Sequence, residues 1–332
     1  MSDIINQRPP KPDVSITIPI YNEVENLDRL ESQLFAVIDL MQESVEVIAV
    51  NDGSTDGSKI KLEQICKRRK TFKVVNFHRN SGQTAALMAG IDYSQGDIIV
   101  ALDADLQNDP KDIPSLLQKL DEGYDVVSGW RKKRKDAAIR RNLVSRIANR
   151  LISKISGVHL HDYGCTLKAY RRDVIIGFRL YGEMHRFIPI YATWMGARVT
   201  EIPVTHHARQ FGQSKYGLSR VYRVLLDLIV IKFLERYLTK PIYLFGGIGA
   251  LSIAISIMLF AYAVYLKLFQ GVSFILTPLP ILCTFTFLIG VISILMGLLA
   301  EILTRVYFET GNKLAYSVAS KHNIEEKLIK KL

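Results

Sequence analysis

The sequence predicts an α/β domain built on a mostly parallel, twisted sheet, followed by a two-helix membrane anchor. Three observations carry this. Between residues 14 and 204, short β-rich runs alternate with helical patterns, the rhythm of a sheet covered on both faces. Polar, Gly-containing clusters fall directly after the strands, where open α/β sheets bind ligands. And charge is segregated, because 241–266 and 268–300 contain no Asp, Glu, Lys or Arg.

The elements follow in order. Residues 14–20 form a strand, and 26–41 have helical periodicity. A strand over 45–50 ends at Asn51-Asp52 and leads into a helix to about residue 69. The strand 72–77 and a helix over 83–93 come next. The apolar run 97–102 is a strand ending in Asp103-Ala104-Asp105; a helix near 113–120 and a strand over 125–128 complete the series. No internal repeat or low-complexity tract is visible.

The 332 residues carry 43 Lys+Arg against 32 Asp+Glu, a formal charge of +11, and 48% are hydrophobic. Mean hydropathy is +0.13, too high for an ordinary soluble enzyme of this charge unless the apolar residues are concentrated. Disorder is excluded by the apolar content, and three cysteines in so long a chain exclude a disulfide scaffold. Residues 1–13 lack the apolar stretch of a secretory signal, so they are expected to be a simple tail.

The run 241–266 exceeds the roughly 20 residues that span a bilayer. Gly271, Pro278 and Pro280 divide the second run, leaving 279–300 as another span and 267–278 as the loop. Two buried core helices are the alternative, but these rarely run so long without charge. The loop holds only Lys267, whereas Lys232, Arg236, Lys240, Arg305 and Lys313 flank the pair, which predicts both termini on the cytoplasmic side of the inner (plasma) membrane. Gly246, Gly247, Gly249, Gly290 and Gly297 would let spans of two copies pack closely as a homo-oligomer. Residues 216–240, with Arg220, Arg223, Lys232 and Arg236 among Leu, Ile and Val, read as an amphipathic interfacial helix. Residues 301–332 read as a charged cytoplasmic tail without evident chemistry, and 14–215 as the catalytic domain.

Six clusters carry the chemistry. Pro19-Ile20-Tyr21-Asn22-Glu23 and Asn51-Asp52-Gly53-Ser54-Thr55-Asp56-Gly57-Ser58 follow the first two strands. Glycine and small polar residues let backbone approach a ligand, and a carboxylate can accept from a nucleobase or ribose. They form no G-x-G-x-x-G, and no Walker motif occurs, which disfavours hydride transfer and P-loop ATPase chemistry. Alone, either cluster could be a turn and helix cap. Asp103-Ala104-Asp105-Leu106-Gln107 places two carboxylates at i, i+2, suited to one Mg²⁺ or Mn²⁺ shared with substrate phosphates. The Gln107 amide could add a ligand. The fourth cluster is Gly129-Trp130-Arg131, the basic run 132–135, and Arg140, Arg141 and Ser145; a guanidinium at a strand end suits phosphate. The fifth is Asp162-Tyr163-Gly164-Cys165. The sixth runs from His206-His207 through Arg209 and Gly212 to Ser214-Lys215. Its paired histidines, with no Cys or third His nearby, make a poor zinc site.

In this order, Pro-x-Tyr-Asn-Glu, Asn-Asp-Gly-Ser-x-Asp, Asp-x-Asp-x-Gln and Arg-x-x-Gly-x-Ser-Lys resemble the family 2 inverting glycosyltransferases of GT-A fold, a Rossmann-like architecture. The likeness covers about residues 14–220. It points to the polyisoprenyl-phosphate branch, which includes dolichyl-phosphate mannose synthases and bactoprenol glucosyltransferases. The resemblance implies that Pro19, Tyr21, Glu23, Asp52 and Asp103 serve the nucleotide. It also implies that Asp103, Asp105 and Gln107 hold Mg²⁺ or Mn²⁺ on the diphosphate. Arg209, Ser214 and Lys215 match the loop that closes over the phosphates, while Arg131, Arg141 and Ser145 match residues holding the acceptor phosphate.

The implied reaction is an inverting transfer of a hexose, with glucose from UDP-glucose ranked first, to undecaprenyl phosphate at the membrane. Developing charge on the departing diphosphate would be met by the metal with Arg209 and Lys215. A phosphate monoester, with a second pKa near ~6, arrives largely deprotonated, so it needs little help from a base. Asp162 is a candidate base or orienting carboxylate. Alternative donors are GDP-mannose or a UDP-aminopentose. A non-catalytic nucleotide-sensing membrane protein is the alternative of another class, disfavoured by the metal-ligand pattern. No nucleic-acid partner is expected.

Overall fold

The computed structural model describes residues 11–132, 149–150, 152–154, 156–176, 180, 184–208, 233, 237, 240–309 and 318–324. The chain divides into two units, residues 1–228 with 314–332, and residues 229–313.

The first unit is an α/β sheet. Strand β1 (Val14–Ile20) leads to α1 (Leu27–Ile38), β2 (Val45–Asn51), α2 (Ser58–Arg68), β3 (Phe72–Phe77), α3 (Gln83–Tyr93) and β4 (Ile98–Ala101). Then come α4 (Ile113–Asp121), β5 (Val126–Trp130), β6 (Lys168–Arg171), α5 (Arg172–Ile175), α6 (Ile188–Trp194) and β7 (Val199–Pro203). The strand order is β7-β5-β6-β4-β1-β2-β3-β8, where β8 is Val318–His322. Parallel pairs join β1 to β2 and β4, β2 to β3, and β5 to β7. Antiparallel pairs join β6 to β4 and β5, and β8 to β3.

Central strands are apolar on both faces because both are covered. Val14, Ile16, Ile18, Val47 and Ala49 lie in one cluster with Leu30 and Leu34 of α1, Leu62 and Ile65 of α2, and Leu116 of α4. Ile48, Val50 and Val75 pack on the other face against Ala85, Ala86 and Ala89 of α3. The small residues of α3 permit close approach: a Cβ at Gly90 would sit 2.8 Å from Thr17 Cβ. After β3 the chain returns across β1 to place β4 on its far side. This reversal opens a crevice at the carboxyl ends of β1 and β4.

The early strands and α3 fall where the sequence puts them, and α1 ends at Ile38, three residues short of the expected 41. Strands β6, β7 and β8 were not expected. β6 is the four-residue Lys-Ala-Tyr-Arg, and β7 carries Glu201 and ends in Pro203, so neither shows an apolar run. β8 lies in the charged C-terminal tail: after the apolar helices the chain returns to pair with β3.

The second unit is a helical hairpin of α7 (Ile242–Gln270) and α8 (Leu279–Glu309). Both are long and apolar enough to cross a membrane. Their apolar side chains, among them Leu251, Met258, Phe285 and Ile292, are exposed, contrary to the alternative of two soluble core helices. The first helix continues past the expected residue 266, taking in Lys267, and ends where Gly271 adopts φ 68°. The second runs nine residues past 300. A Cβ at Gly249 would lie 2.8 Å from Gly290 O, and one at Gly297 2.7 Å from Ile242 Cδ1. These glycines are therefore used within the hairpin, leaving Gly247 with open space around it.

Candidate active site

The loops after β1 and β2 are stitched together by side chains. Asn22 takes the left-handed conformation (φ 55°), which asparagine tolerates better than most residues. Its N–H donates to Ser54 Oγ (3.0 Å), and Thr55 N–H donates to Asn22 Oδ1 (2.8 Å). Glu23 N–H donates to Ser58 Oγ (3.2 Å) and Val24 N–H to Asp56 Oδ2 (3.0 Å). Pro19 lies within β1, opposite Val50, and Tyr21 is half-buried just beyond the strand.

Asp52 secures a third loop. Its Oδ1 accepts from Ser81 N–H (2.6 Å) and its Oδ2 from Gly82 N–H (2.9 Å). Burial raises the Asp52 pKa, and these two amides oppose the rise. Gly53 is required beside it, since its φ is +67° and a Cβ would meet the Arg79 carbonyl carbon at 2.5 Å. The loop 78–82 was missed by the sequence reading, although Asn80-Ser81-Gly82 stands between a strand and a helix as the recognised clusters do.

At the end of β4, Asp103 Oδ1 accepts from Gln83 Nε2 (2.8 Å) and Oδ2 from Thr166 Oγ1 (2.5 Å). Leu106 is buried with φ 59°, a costly conformation for leucine, and Gln107 N–H turns back to donate to Asp105 Oδ1 (3.2 Å). Burial, reinforced by the Asp105 charge, pushes the Asp103 pKa up to about 6. Two carboxylates close enough for the Asp105 charge to help raise the Asp103 pKa fit a hard divalent cation. No cluster of three or more His, Cys, Asp or Glu poised for a metal occurs among the described residues. Such an ion would thus take its remaining ligands from substrate phosphates, water and the Gln107 amide.

The fourth and fifth clusters meet. Arg131, at the end of β5, donates from Nε to Asp162 Oδ2 (2.7 Å) and from Nη2 to Asp162 Oδ1 (2.9 Å). Gly164 N–H also donates to Oδ1 (3.1 Å), and a Cβ at this glycine would stand 3.2 Å from Arg131 Nη2. The residue expected to hold an acceptor phosphate thus has one edge of its guanidinium, Nε with Nη2, fixed by Asp162. Asp162, expected as a base or an orienting carboxylate, accepts these bonds on both of its oxygens. The loop continues through Thr166, bonded to Asp103, to the buried Lys168, whose Nζ donates to Cys165 O and to Tyr163 O (3.3 Å). Burial pushes the Lys168 pKa down to about 8. Neither Thr166 nor Lys168 was singled out from sequence, because each sits in an otherwise apolar-looking stretch.

The start of the sixth cluster adjoins the third: His207 N–H donates to Gln107 O (2.8 Å), and His206 bridges Asn108. Arg141, Ser145, Arg209, Ser214 and Lys215 lie outside the described residues, as does most of the expected interfacial helix.

A mostly parallel sheet reversing at β1, with an Asp-x-Asp crevice beside two small-residue loops, is the architecture of a GT-A glycosyltransferase. The model of the family described as glycosyl transferase family 2 matches residues 15–177. The chain is 40% identical over 300 residues to dodecaprenyl-phosphate galacturonate synthase of Rhizobium johnstonii, covering 89% of each protein. It belongs to glycosyl transferase family 2. It is also 36% identical over 310 residues to undecaprenyl-phosphate 4-deoxy-4-formamido-L-arabinose transferase of Aeromonas hydrophila, covering 92% of each. Among solved structures it resembles glucosyl-3-phosphoglycerate synthase of Mycobacterium tuberculosis in complex with Mn²⁺, UDP and phosphoglyceric acid. There the TM-score is 0.51 at 18% identity, over 68% of this chain and 78% of that one, a likeness of fold.

Proposed function

We propose that this enzyme transfers a sugar from a nucleotide donor to the phosphate of undecaprenyl phosphate or a similar polyisoprenyl phosphate. The observation that carries it is the Asp103–Asp105 pair at the reversal of the sheet, joined through Thr166 to the loop that holds Arg131. The polyprenyl-phosphate names of relatives similar over nearly the whole chain support the acceptor, and the apolar hairpin supports work at a membrane.

In this reading the loops at Tyr21–Glu23 and Asn51–Ser58 receive the nucleotide, with Asp52 shaping the pocket by holding Ser81 and Gly82. Asp103, Asp105 and Gln107 would hold Mg²⁺ or Mn²⁺, which when bound supplies positive charge for the leaving diphosphate. Arg209, Ser214 and Lys215 would close on the same phosphates. The acceptor phosphate, already anionic, attacks the anomeric carbon from the opposite face, so configuration inverts. Arg131, oriented by Asp162, marks the acceptor side with Arg141 and Ser145. Lys267 in the hairpin against the flanking cations supports cytoplasmic termini.

For the sugar, the relatives' names give galacturonate and 4-deoxy-4-formamido-L-arabinose rather than the glucose ranked first from sequence. A uronate or aminopentose is therefore the proposed cargo. The test is a panel of labelled UDP-galacturonate, UDP-4-deoxy-4-formamido-L-arabinose, UDP-glucose and GDP-mannose with undecaprenyl phosphate. Preference for UDP-glucose would restore the first ranking, and preference for GDP-mannose would reject uridine in the pocket.

A further inference from the structure

The strand β8 has no place in the chemistry just described, yet its side chains connect to it. Ser320 lies opposite Asn76 on β3, and Asn76 opposite Asn51 on β2. Their side chains form a ladder across the three strands. Asn76 Nδ2 donates to Ser320 Oγ (3.0 Å), and Asn51 Nδ2 donates to Asn76 Oδ1 (2.9 Å). Asn51 Oδ1 in turn accepts from Ser54 N–H (3.0 Å), and Ser54 Oγ accepts from Asn22 N–H (3.0 Å). Asn51 and Asn76 are buried, where an amide that loses a partner is costly. The ladder has one consistent direction: the Ser54 backbone N–H can only donate, so it takes Asn51 Oδ1. Asn51 then offers Nδ2 to Asn76 Oδ1, and Asn76 offers Nδ2 to the Ser320 hydroxyl, which accepts at the far end.

β8 is itself fastened beyond the ladder. Asn323, in the left-handed conformation (φ 60°), donates from Nδ2 to Phe72 O (3.1 Å) and Cys66 O (3.2 Å). Lys321 Nζ stands 5.0 Å from the centre of the Tyr93 ring, and Ile324 packs against the cluster beneath α3. The strand thus covers the β3 edge, which would otherwise expose unpaired backbone groups.

We propose that the segment following the second apolar helix is a positioning element for the donor-nucleotide loops, with Ser320 acting through Asn76 and Asn51 on Ser54 and the left-handed turn at Asn22. This rests on the reading of residues 21–23 and 51–58 as the nucleotide pocket. Ser320 touches no reacting atom in this arrangement. Its effect is to reduce the number of conformations the loops must give up when nucleotide binds.

The experiment uses full-length protein carrying Ser320→Ala or Ser320→Thr, small changes at an edge strand. Two readouts are taken: backbone hydrogen exchange of the ligand-free protein, and binding of UDP with Mn²⁺. Ser320→Ala should speed exchange at residues 51–56 and weaken UDP binding about fivefold, the worth of one neutral hydrogen bond. Exchange in β1 and β4 should hold steady, and Ser320→Thr, which keeps the hydroxyl, should restore both quantities. Unchanged exchange at 51–56 in Ser320→Ala would overturn the positioning role, as would failure of Ser320→Thr to restore it. Faster exchange at 51–56 with undiminished UDP affinity would instead overturn the nucleotide-pocket reading beneath it.

Discussion

Arg131 and Asp162 close on one another as fork and carboxylate, Nε to Oδ2 at 2.7 Å and Nη2 to Oδ1 at 2.9 Å, and both side chains are largely buried. A planar guanidinium can make this paired contact, whereas an ammonium cannot. The bond joins the end of β5 to the loop that also reaches Asp103 through Thr166.

Removing one partner leaves the other charge buried. Asp162→Asn or Arg131→Met should each destabilise the domain by about 3 kcal/mol or more, and the pair Arg131→Met with Asp162→Leu by much less than their sum. Thermal unfolding of the four proteins measures the coupling. Arg131→Lys should retain most of the stability but lose at least about tenfold in transfer at limiting lipid, because the fork fixes direction as well as charge. Near-normal transfer by Arg131→Lys would assign this region to general membrane attraction.

The carboxylate pair gives a pH signature. Asp103 rises from 3.8 to about 6 in the folded protein, so the folded state holds its proton more tightly than the unfolded chain. Its favourable contribution is complete below about pH 4 and is lost as pH rises through 6. In metal-free protein, Asp103→Asn should therefore raise the melting temperature by a few degrees at pH 7.5, with the gain shrinking towards pH 4. Added Mn²⁺ should stabilise the unsubstituted protein at pH 7.5 and progressively less below pH 6. An identical effect of the substitution at both pH values would contradict the electrostatic account.

Asp52 is expected to act on the nucleotide through its loop. Asp52→Ala strands the Ser81 and Gly82 amides and should weaken UDP binding about tenfold or more, the cost of two hydrogen bonds to a charged acceptor. Affinity for lipid phosphate should stay within twofold. The reverse pattern, measured by equilibrium binding of each ligand, would move the donor pocket elsewhere.

The hairpin can be tested through its own cysteine. Ser256 Oγ lies 3.2 Å from Cys283 Sγ, so Ser256→Cys should cross-link to Cys283 under mild oxidation. Adding Gly249→Leu, whose Cβ would meet Ile294 Cγ1 at 2.6 Å, should suppress that cross-link. Persistence of full cross-linking would show that the glycine contact does not set the packing.

Much of this was legible in the sequence for a physical reason. Strands buried on both faces, such as Val45–Asn51, must be apolar throughout, and the polar residues where they stop mark the ligand edge of the sheet. The Asp103–Asp105 pair and the two small-residue loops stood out on that basis. The contacts between clusters did not. Arg131 and Asp162 are 31 residues apart, and nothing in either segment shows that β6 will run antiparallel between β4 and β5 and bring them together. Asn51 read as part of a ligand loop, while its amide serves the ladder to Ser320. That ladder depends on a strand formed beyond two apolar helices, whose five residues Val-Ala-Ser-Lys-His have too little pattern to announce an edge.

The most direct measurement of the central claim compares acceptors that differ only at the phosphate. Purified full-length enzyme would be given labelled nucleotide sugar, Mn²⁺, and either undecaprenyl phosphate or undecaprenol, with Asp105→Ala as the control. The account predicts label in the lipid fraction with undecaprenyl phosphate alone, inverted anomeric configuration in the product, and no transfer by Asp105→Ala or in EDTA. Equal transfer to undecaprenol, or full transfer by Asp105→Ala in EDTA, would contradict it.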